Sequence, residues 1–323
     1  MLPAAPTCGD AELLAAAESE ARLGRSVVLA TVVAVEGSAF RRLGARALVR
    51  EDGSVVGSVS GGCLEGDLAR RARALGPERP TSRVVYDQSE GAPLGVATGC
   101  HGAVTVLLEW IAHPAEHPLL RALAAVHRGE AGALTCAVVT ASGDAQRIGT
   151  RWVAAAGLEP RREGGSGGAP DGSRDDDVFV EVLRAPPLLA VAGAGPDATT
   201  LTRFARAVGF AVSPWPVAGG RPIAAAVVMF HHLERDLAAL RALASLRLPY
   251  VGLVGARARG REVQRRLAAE GLLVEGLRAP AGLDLGGDGP EAMALSIVAE
   301  LTAALHRRSA SPLARGEGPI HGR

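Results

Sequence analysis

Apolar residues recur along this chain in two rhythms, one helical and one extended, and their alternation lays out its elements. Asp10 to Leu23 places Leu13, Leu14, Ala17 and Ala21 on one helical face, with Asp10 as cap and Gly24 as stop. Val27 to Val35 is a nearly unbroken β-branched run, which predicts a buried strand. Ala47 to Val49 and Val55-Val56 predict a hairpin around Asp52-Gly53. Leu64 to Leu75 and Leu119 to His127 have helical spacing. Arg83 to Tyr86, Ala103 to Glu109, Ala133 to Thr140 and Trp152-Val153 read as strands. Residues 1–158 are therefore expected to form a mixed α+β domain.

The pattern then breaks. Residues 159–177 hold Gly-Gly-Ser-Gly-Gly and an acidic run at Asp175 to Asp177, a composition that buries no apolar area and predicts a flexible loop. Val178 to Leu183 resumes a strand, and Pro186-Pro187 marks a junction, so 178–187 connects the two halves. Residues 188–308 alternate strand and helix. Strands are expected at Leu188 to Ala192, Phe210 to Val212, Ala225 to Met229 and Tyr250 to Val254. Helices are expected at Thr199 to Val208, Leu233 to Leu246, Arg259 to Glu270 and Pro290 to Arg307. This alternation predicts an α/β, Rossmann-like parallel sheet covered on both faces. The stretch from Val217 to Ala224 is too short for a full repeat, so the domain reads as shortened by one strand-helix unit. The Gly/Arg-rich residues 309–323 read as a disordered tail.

With 323 residues, 48% hydrophobic, the chain can bury full cores in two domains. Its net charge of +1 gives no electrostatic drive towards nucleic acid, and its 3% aromatic content offers no base-stacking platform. All 35 basic residues are arginine, which removes Schiff-base and P-loop lysine chemistry and leaves arginine for binding anions. No apolar run is long enough to span a bilayer, and no signal-peptide pattern is present, which predicts a cytoplasmic protein with reduced thiols. Cys8, Cys63, Cys100 and Cys136 have neither zinc-type nor CxxC spacing.

Two cysteines are framed by glycine. Gly57-Ser58-Val59-Ser60-Gly61-Gly62-Cys63-Leu64-Glu65 puts Cys63 at a strand-to-helix turn, where free backbone N–H groups favour a thiolate or a bound anion. Gly95 to Gly102 frames Cys100 in the same way. Gly193-x-Gly195-x-x-Ala198 follows a strand and opens a helix, the context of a dinucleotide fingerprint. The acid that should hold a ribose after the second strand is missing, since the chain there reads Ser213-Pro214-Trp215, which argues against NAD(P). His231, and Arg257 with Arg259, follow two further strand ends, the edge at which open α/β sheets bind ligands. Cys136 lies within an apolar strand and reads as structural.

In this order the pieces resemble the XdhC/CoxI family of molybdenum-hydroxylase maturation factors. The residues that carry the resemblance are Gly37 to Arg41, Gly44-Ala45, Gly57 to Glu65, Thr98 to Gly102, Gly193 to Gly195, Val227 to His231, Tyr250 to Arg257, Ala281 to Gly286, Pro290-Glu291 and Leu295 to Glu300. The resemblance implies a two-domain carrier that binds molybdenum cofactor (molybdopterin) as cargo and delivers it to an apo molybdenum hydroxylase of the xanthine or carbon monoxide dehydrogenase type. It also implies a cysteine desulfurase partner and self-association. Residue by residue, it makes Cys63 and Cys100 the cofactor-handling thiols, Cys63 the contact to the metal, and Arg41, Gly61, Gly62 and Glu65 the groups that shape the site. Gly193, Gly195, His231 and Arg257 are the matching candidates in the second half. The competing readings are a nicotinamide-dependent Rossmann oxidoreductase and a scaffold that binds no cofactor.

Overall fold

The computed structural model describes residues 9–37, 41–87, 102–156 and 177–315. The chain divides into two compact units, one of residues 9–185 and one beginning at Pro186.

In the first unit the elements run α1 (Asp10–Arg22), β1 (Val27–Gly37), β2 (Arg46–Arg50), β3 (Val55–Gly57), α2 (Glu65–Ala72), β4 (Thr81–Asp87), β5 (Gly102–Ile111), α3 (Pro118–Arg128), β6 (Ala133–Ala141), β7 (Arg151–Ala155) and β8 (Asp177–Arg184). Five strands form one sheet in the order β3-β2-β1-β5-β4, antiparallel throughout. β1 lies at its centre and is covered on both faces. Val28, Ala30 and Val32 face the Leu64 and Leu68 side chains of the α2 segment, while Val27 and Leu29 face Leu13 of α1 and Leu119 and Leu123 of α3. Two buried faces explain why its sequence is a continuous apolar run instead of the alternation usual for antiparallel strands.

The remaining strands make a second sheet, β7-β6-β8. Buried ion pairs tie it to the first sheet. Arg46 of β2 donates to Glu181 of β8 and lies 3.8 Å from Asp10 at the start of α1. Arg151 of β7 donates through Nε to Glu109 of β5 at 3.0 Å and again through its terminal nitrogen. Charges this deeply buried persist only when paired. Burial pulls the Arg46 guanidinium down, but Glu181 and Asp10 hold it above its ordinary value.

The second unit runs β9 (Leu188–Ala192), α4 (Pro196–Ala207), β10 (Ala211–Pro214), β11 (Ile223–Val228), α5 (Leu233–Ala244), β12 (Val251–Leu253), α6 (Arg257–Ala269), β13 (Leu277–Arg278) and α7 (Gly289–Leu305). Its sheet is parallel, in the order β10-β9-β11-β12-β13. Leu189 and Val191 pack beneath α4 and α7, and Ala190 and Ala192 beneath α5 and α6, so β9 is sandwiched. The shortening read from the sequence falls on the connection after β10. Both flanking strands are present, but residues 215–222 cross without a helix. β13 escapes the sequence pattern because it is two residues long and has no apolar run. Residues 309–315 carry only a short turn of helix, at Leu313–Arg315.

Candidate functional site

Cys63 occupies a loop that a single carboxylate assembles. Glu65 Oε1 accepts from the Ser58 hydroxyl at 2.8 Å and from the backbone N–H groups of Val59 and Ser60, each at 3.1 Å. Its Oε2 accepts from the Ser60 hydroxyl at 2.6 Å and from the Leu64 N–H at 3.2 Å. The Ser60 oxygen in turn accepts from Leu64 N–H at 2.9 Å, and the Ser58 oxygen from Gly61 N–H at 2.8 Å. Burial alone would raise the Glu65 carboxyl. The hydrogen bonds from Ser60 and Ser58 overcome it and hold the group at about 2.

Two buried side chains, Val59 and Leu64, root this loop in the core beneath it. Between them Gly61 and Gly62 take φ of 89° and 120°, a backbone region that side chains disfavour. A β-carbon on Gly62 would meet nothing within 4 Å, so the backbone there faces open space. Cys63 is exposed and sits one residue ahead of Leu64, the cap of α2. The result is an accessible thiol beside the amino end of a helix, on a loop fixed from below. Glu65 contributes by holding that loop, since both of its oxygens are occupied there.

Asp67, one turn into α2, accepts from the Tyr86 hydroxyl of β4 at 2.7 Å and from Arg71 at 2.5 Å, which clamps the helix to the sheet. Arg41 is half-buried and stands near the start of the loop leading to β2. Cys100, the second glycine-framed cysteine, lies outside the described residues, as do residues 38–40 and 157–176. Cys136 is buried, and burial, with Glu181 nearby, pushes its thiol up to about 12, consistent with an inert core position. Among the described residues no three His, Cys, Asp or Glu side chains gather as a metal site.

In the second unit the remaining candidates line the carboxyl edge of the parallel sheet. Gly193 follows β9, and a β-carbon there would lie 2.6 Å from Met229 Cγ and 2.7 Å from Met229 O, so only glycine fits. Gly195 has φ of 102° and precedes α4. His231, exposed, takes φ of 56° three residues beyond the end of β11, unusual for a residue with a side chain. Asp236, fully buried on α5, fixes that turn: it accepts from Phe230 N–H at 3.2 Å and pairs with Arg259 of α6 at 3.0 Å. Burial pushes the Asp236 carboxyl up while Arg259 pulls it back. Arg259 is therefore committed inward, and Arg257, exposed at the first position of α6, is the arginine of that pair left facing solvent.

Sequence reasoning did not anticipate the serines at 58 and 60 or Asp236. The Ser-x-Ser spacing ahead of a glutamate was the readable signal for the first. Asp236 resembles any acid in the first turn of a helix, and nothing in the sequence marks it as buried.

Similarity to known proteins follows the same two units. Residues 21–87 match the XdhC and CoxI family, and residues 189–301 match the XdhC Rossmann domain. The chain is 30% identical over 310 residues to a probable xanthine dehydrogenase subunit of Bacillus subtilis, covering 85% of this chain and 92% of that protein. Over 86 residues, 26% of each chain, it is 38% identical to the "molybdenum cofactor insertion chaperone PaoD" of Escherichia coli. A crystal structure described as a xanthine dehydrogenase from Bacillus halodurans superposes with a TM-score of 0.73 at 28% identity, covering 94% of this chain and 98% of that one. On the combined strength of its two domain matches and its near full-length relative, the chain belongs to the XdhC and CoxI family.

Proposed function

We propose that this protein is a maturation factor that holds molybdenum cofactor and hands it to an apo molybdenum hydroxylase of the xanthine dehydrogenase type. The observation that carries the reading is the exposed Cys63 on its Glu65-braced glycine loop at the start of α2. A soft thiolate suits a thiophilic metal centre, and open glycine backbone beside a helix amino end suits an oxyanion or phosphate of the cargo. Arg41, half-buried ahead of β2, is the cation that the family resemblance adds to this reading. The relatives' described roles, one of them molybdenum cofactor insertion and the other part of a xanthine dehydrogenase, suggest the class of cargo and recipient.

Cys100 belongs to this reading as a second thiol, as do a cysteine desulfurase as sulfur source, a cytoplasmic location and a self-associated carrier. The test is reconstitution. Cofactor-loaded protein mixed with apo-hydroxylase should restore hydroxylase activity faster than free cofactor does, and a Cys63→Ala protein should lose that advantage. Binding of NAD(H) without any binding of the pterin would overturn the proposal in favour of a nicotinamide enzyme.

A further inference from the structure

The first unit ends in a strand with an apolar outer row at a sheet edge. Among the described residues β8 pairs with β6 alone, so it forms one edge of the three-stranded sheet. Its side chains alternate between two environments. Phe179, Glu181 and Leu183 face inward, where Phe179 packs on Leu107, Glu181 meets Arg46 and Leu183 joins the core with Leu13. Val178, Val180 and Val182 face the other way and remain 41%, 54% and 43% exposed. They extend a face that is otherwise buried, since Val180 lies in one cross-strand row with Ala137 and Trp152, and Val178 lies beside Val139. β4, an edge of the first sheet, is built differently: Arg83 and Asp87 flank its exposed Val85. Charges placed in that way protect a strand edge from pairing, as proline does. The outer row of β8 has no charge from Val178 to Val182, and the strand has no proline.

An edge of backbone N–H and C=O groups beside apolar side chains is completed by another strand. The charges at the two ends of β8 decide which one. The strand begins at Asp177 and finishes at Arg184. Set antiparallel to a second β8 about a two-fold axis at Val180, it places Val180 opposite itself and Val178 opposite Val182. The Asp177 end of each strand then lies against the Arg184 end of the other. A parallel arrangement would gather like charges at both ends, which is unfavourable. We infer that two copies of this chain associate by pairing their β8 edges, so that their three-stranded sheets join into one continuous sheet. The inference rests on the self-associated carrier of the proposed function and gives that association a surface. Pairing costs little ordering, because Phe179, Glu181 and Leu183 already fix the strand from its inner side. Cys63 belongs to the β3–α2 loop of the other sheet and takes no part.

Analytical ultracentrifugation of the full chain over a concentration series reads the association. The wild type should pass from monomer to dimer as concentration rises. Val180→Lys sets two cations opposite each other on the axis and should raise the dissociation constant about tenfold or more. The same variant should leave the melting midpoint of dilute, monomeric protein unchanged, since position 180 is exposed. Val85→Lys, on the charge-flanked edge of β4, should leave the dissociation constant as it is. Mild oxidation of Val180→Cys should join two chains through residue 180, as peptide mapping would identify, and Val85→Cys should not be joined in this way. A wild type that stays monomeric at its highest soluble concentration, a dimer that Val180→Lys leaves intact, or a β8 edge that hydrogen exchange finds covered only when apo-hydroxylase is added would each overturn the inference. Cys63→Ala should dimerise as the wild type does, and Val180→Lys should still load cofactor, so failure here is distinguishable from failure of the carrier reading.

Discussion

Replacing Glu65 with glutamine tests whether one carboxylate builds the thiol loop. The carboxyl sits at about 2, below its ordinary 4.5, because desolvation is outweighed by hydrogen bonds from Ser60 and Ser58. At ~1.36 kcal/mol per pH unit that difference corresponds to ~3.4 kcal/mol if fully shielded. Glu65 is only half-buried, and solvent screening reduces this to about 1.5 kcal/mol. Glutamine keeps one oxygen for the Ser58 hydroxyl and the Val59 and Ser60 N–H groups but points an amide N–H₂ at the Ser60 hydroxyl and the Leu64 N–H; Leu64 N–H keeps the Ser60 oxygen, whereas the Ser60 hydroxyl loses its acceptor. For a unit of this size the melting temperature should fall by about 3–6 °C. The sign with pH follows from linkage. A carboxyl depressed in the folded state stabilises fully above its unfolded value near 4.5 and loses that contribution as pH falls towards 2. The wild type should therefore lose stability over that window more steeply than Glu65→Gln. Urea unfolding at several pH values, with peptide mapping of Cys63 alkylation rate as a local probe, measures both. Equal stability at neutral pH together with parallel acid dependence would refute the idea that Glu65 organises the loop.

Other consequences concern the frame around the sites. Arg151→Met leaves Glu109 buried without its partner and should cost about 3–5 kcal/mol, whereas Arg151→Met combined with Glu109→Leu should recover most of it; denaturant titration decides. Gly193→Val should destabilise the second unit by more than about 2 kcal/mol, because its β-carbon would overlap Met229, and a thermal melt that is unmoved would contradict the close packing. His117, at the start of α3, is held neutral by burial, with Glu109 and Arg151 pulling in opposite directions, and its ring is pushed down to about 4. Since the unfolded chain takes up that proton first, stability should decline as pH falls from about 6.5 towards 4. Its NMR titration should have a midpoint near 4, and a midpoint near 6.5 would show the ring to be solvated.

Much of the architecture was legible because burial on two faces leaves a continuous apolar imprint. Val27 to Val35 and Leu188 to Ala192 read as buried strands for that reason, and Gly24 marks a helix end through its left-handed backbone. The shortest strand was not legible. β13 is two residues held by β12, and its pairing owes nothing to its own pattern. The Cys63 loop was readable as glycine around a cysteine, but the direction of Glu65 was not. Whether a carboxylate faces a ligand or its own loop depends on where Ser58 and Ser60 fall in space. Asp236 and Arg259 were opaque for the same reason: each belongs to a different helix, and only the packing of α5 beside α6 brings them together.

The central claim is that Cys63 holds the cargo. Its most direct test is the amount of molybdenum and pterin that co-elutes with the protein through gel filtration after loading, compared with Cys63→Ala. Near-stoichiometric cofactor is expected on the wild type and little on the variant, with unchanged folding, since the thiol is exposed and supports no packing. A variant that retains as much cofactor as the wild type, or a wild type that elutes empty, would contradict it.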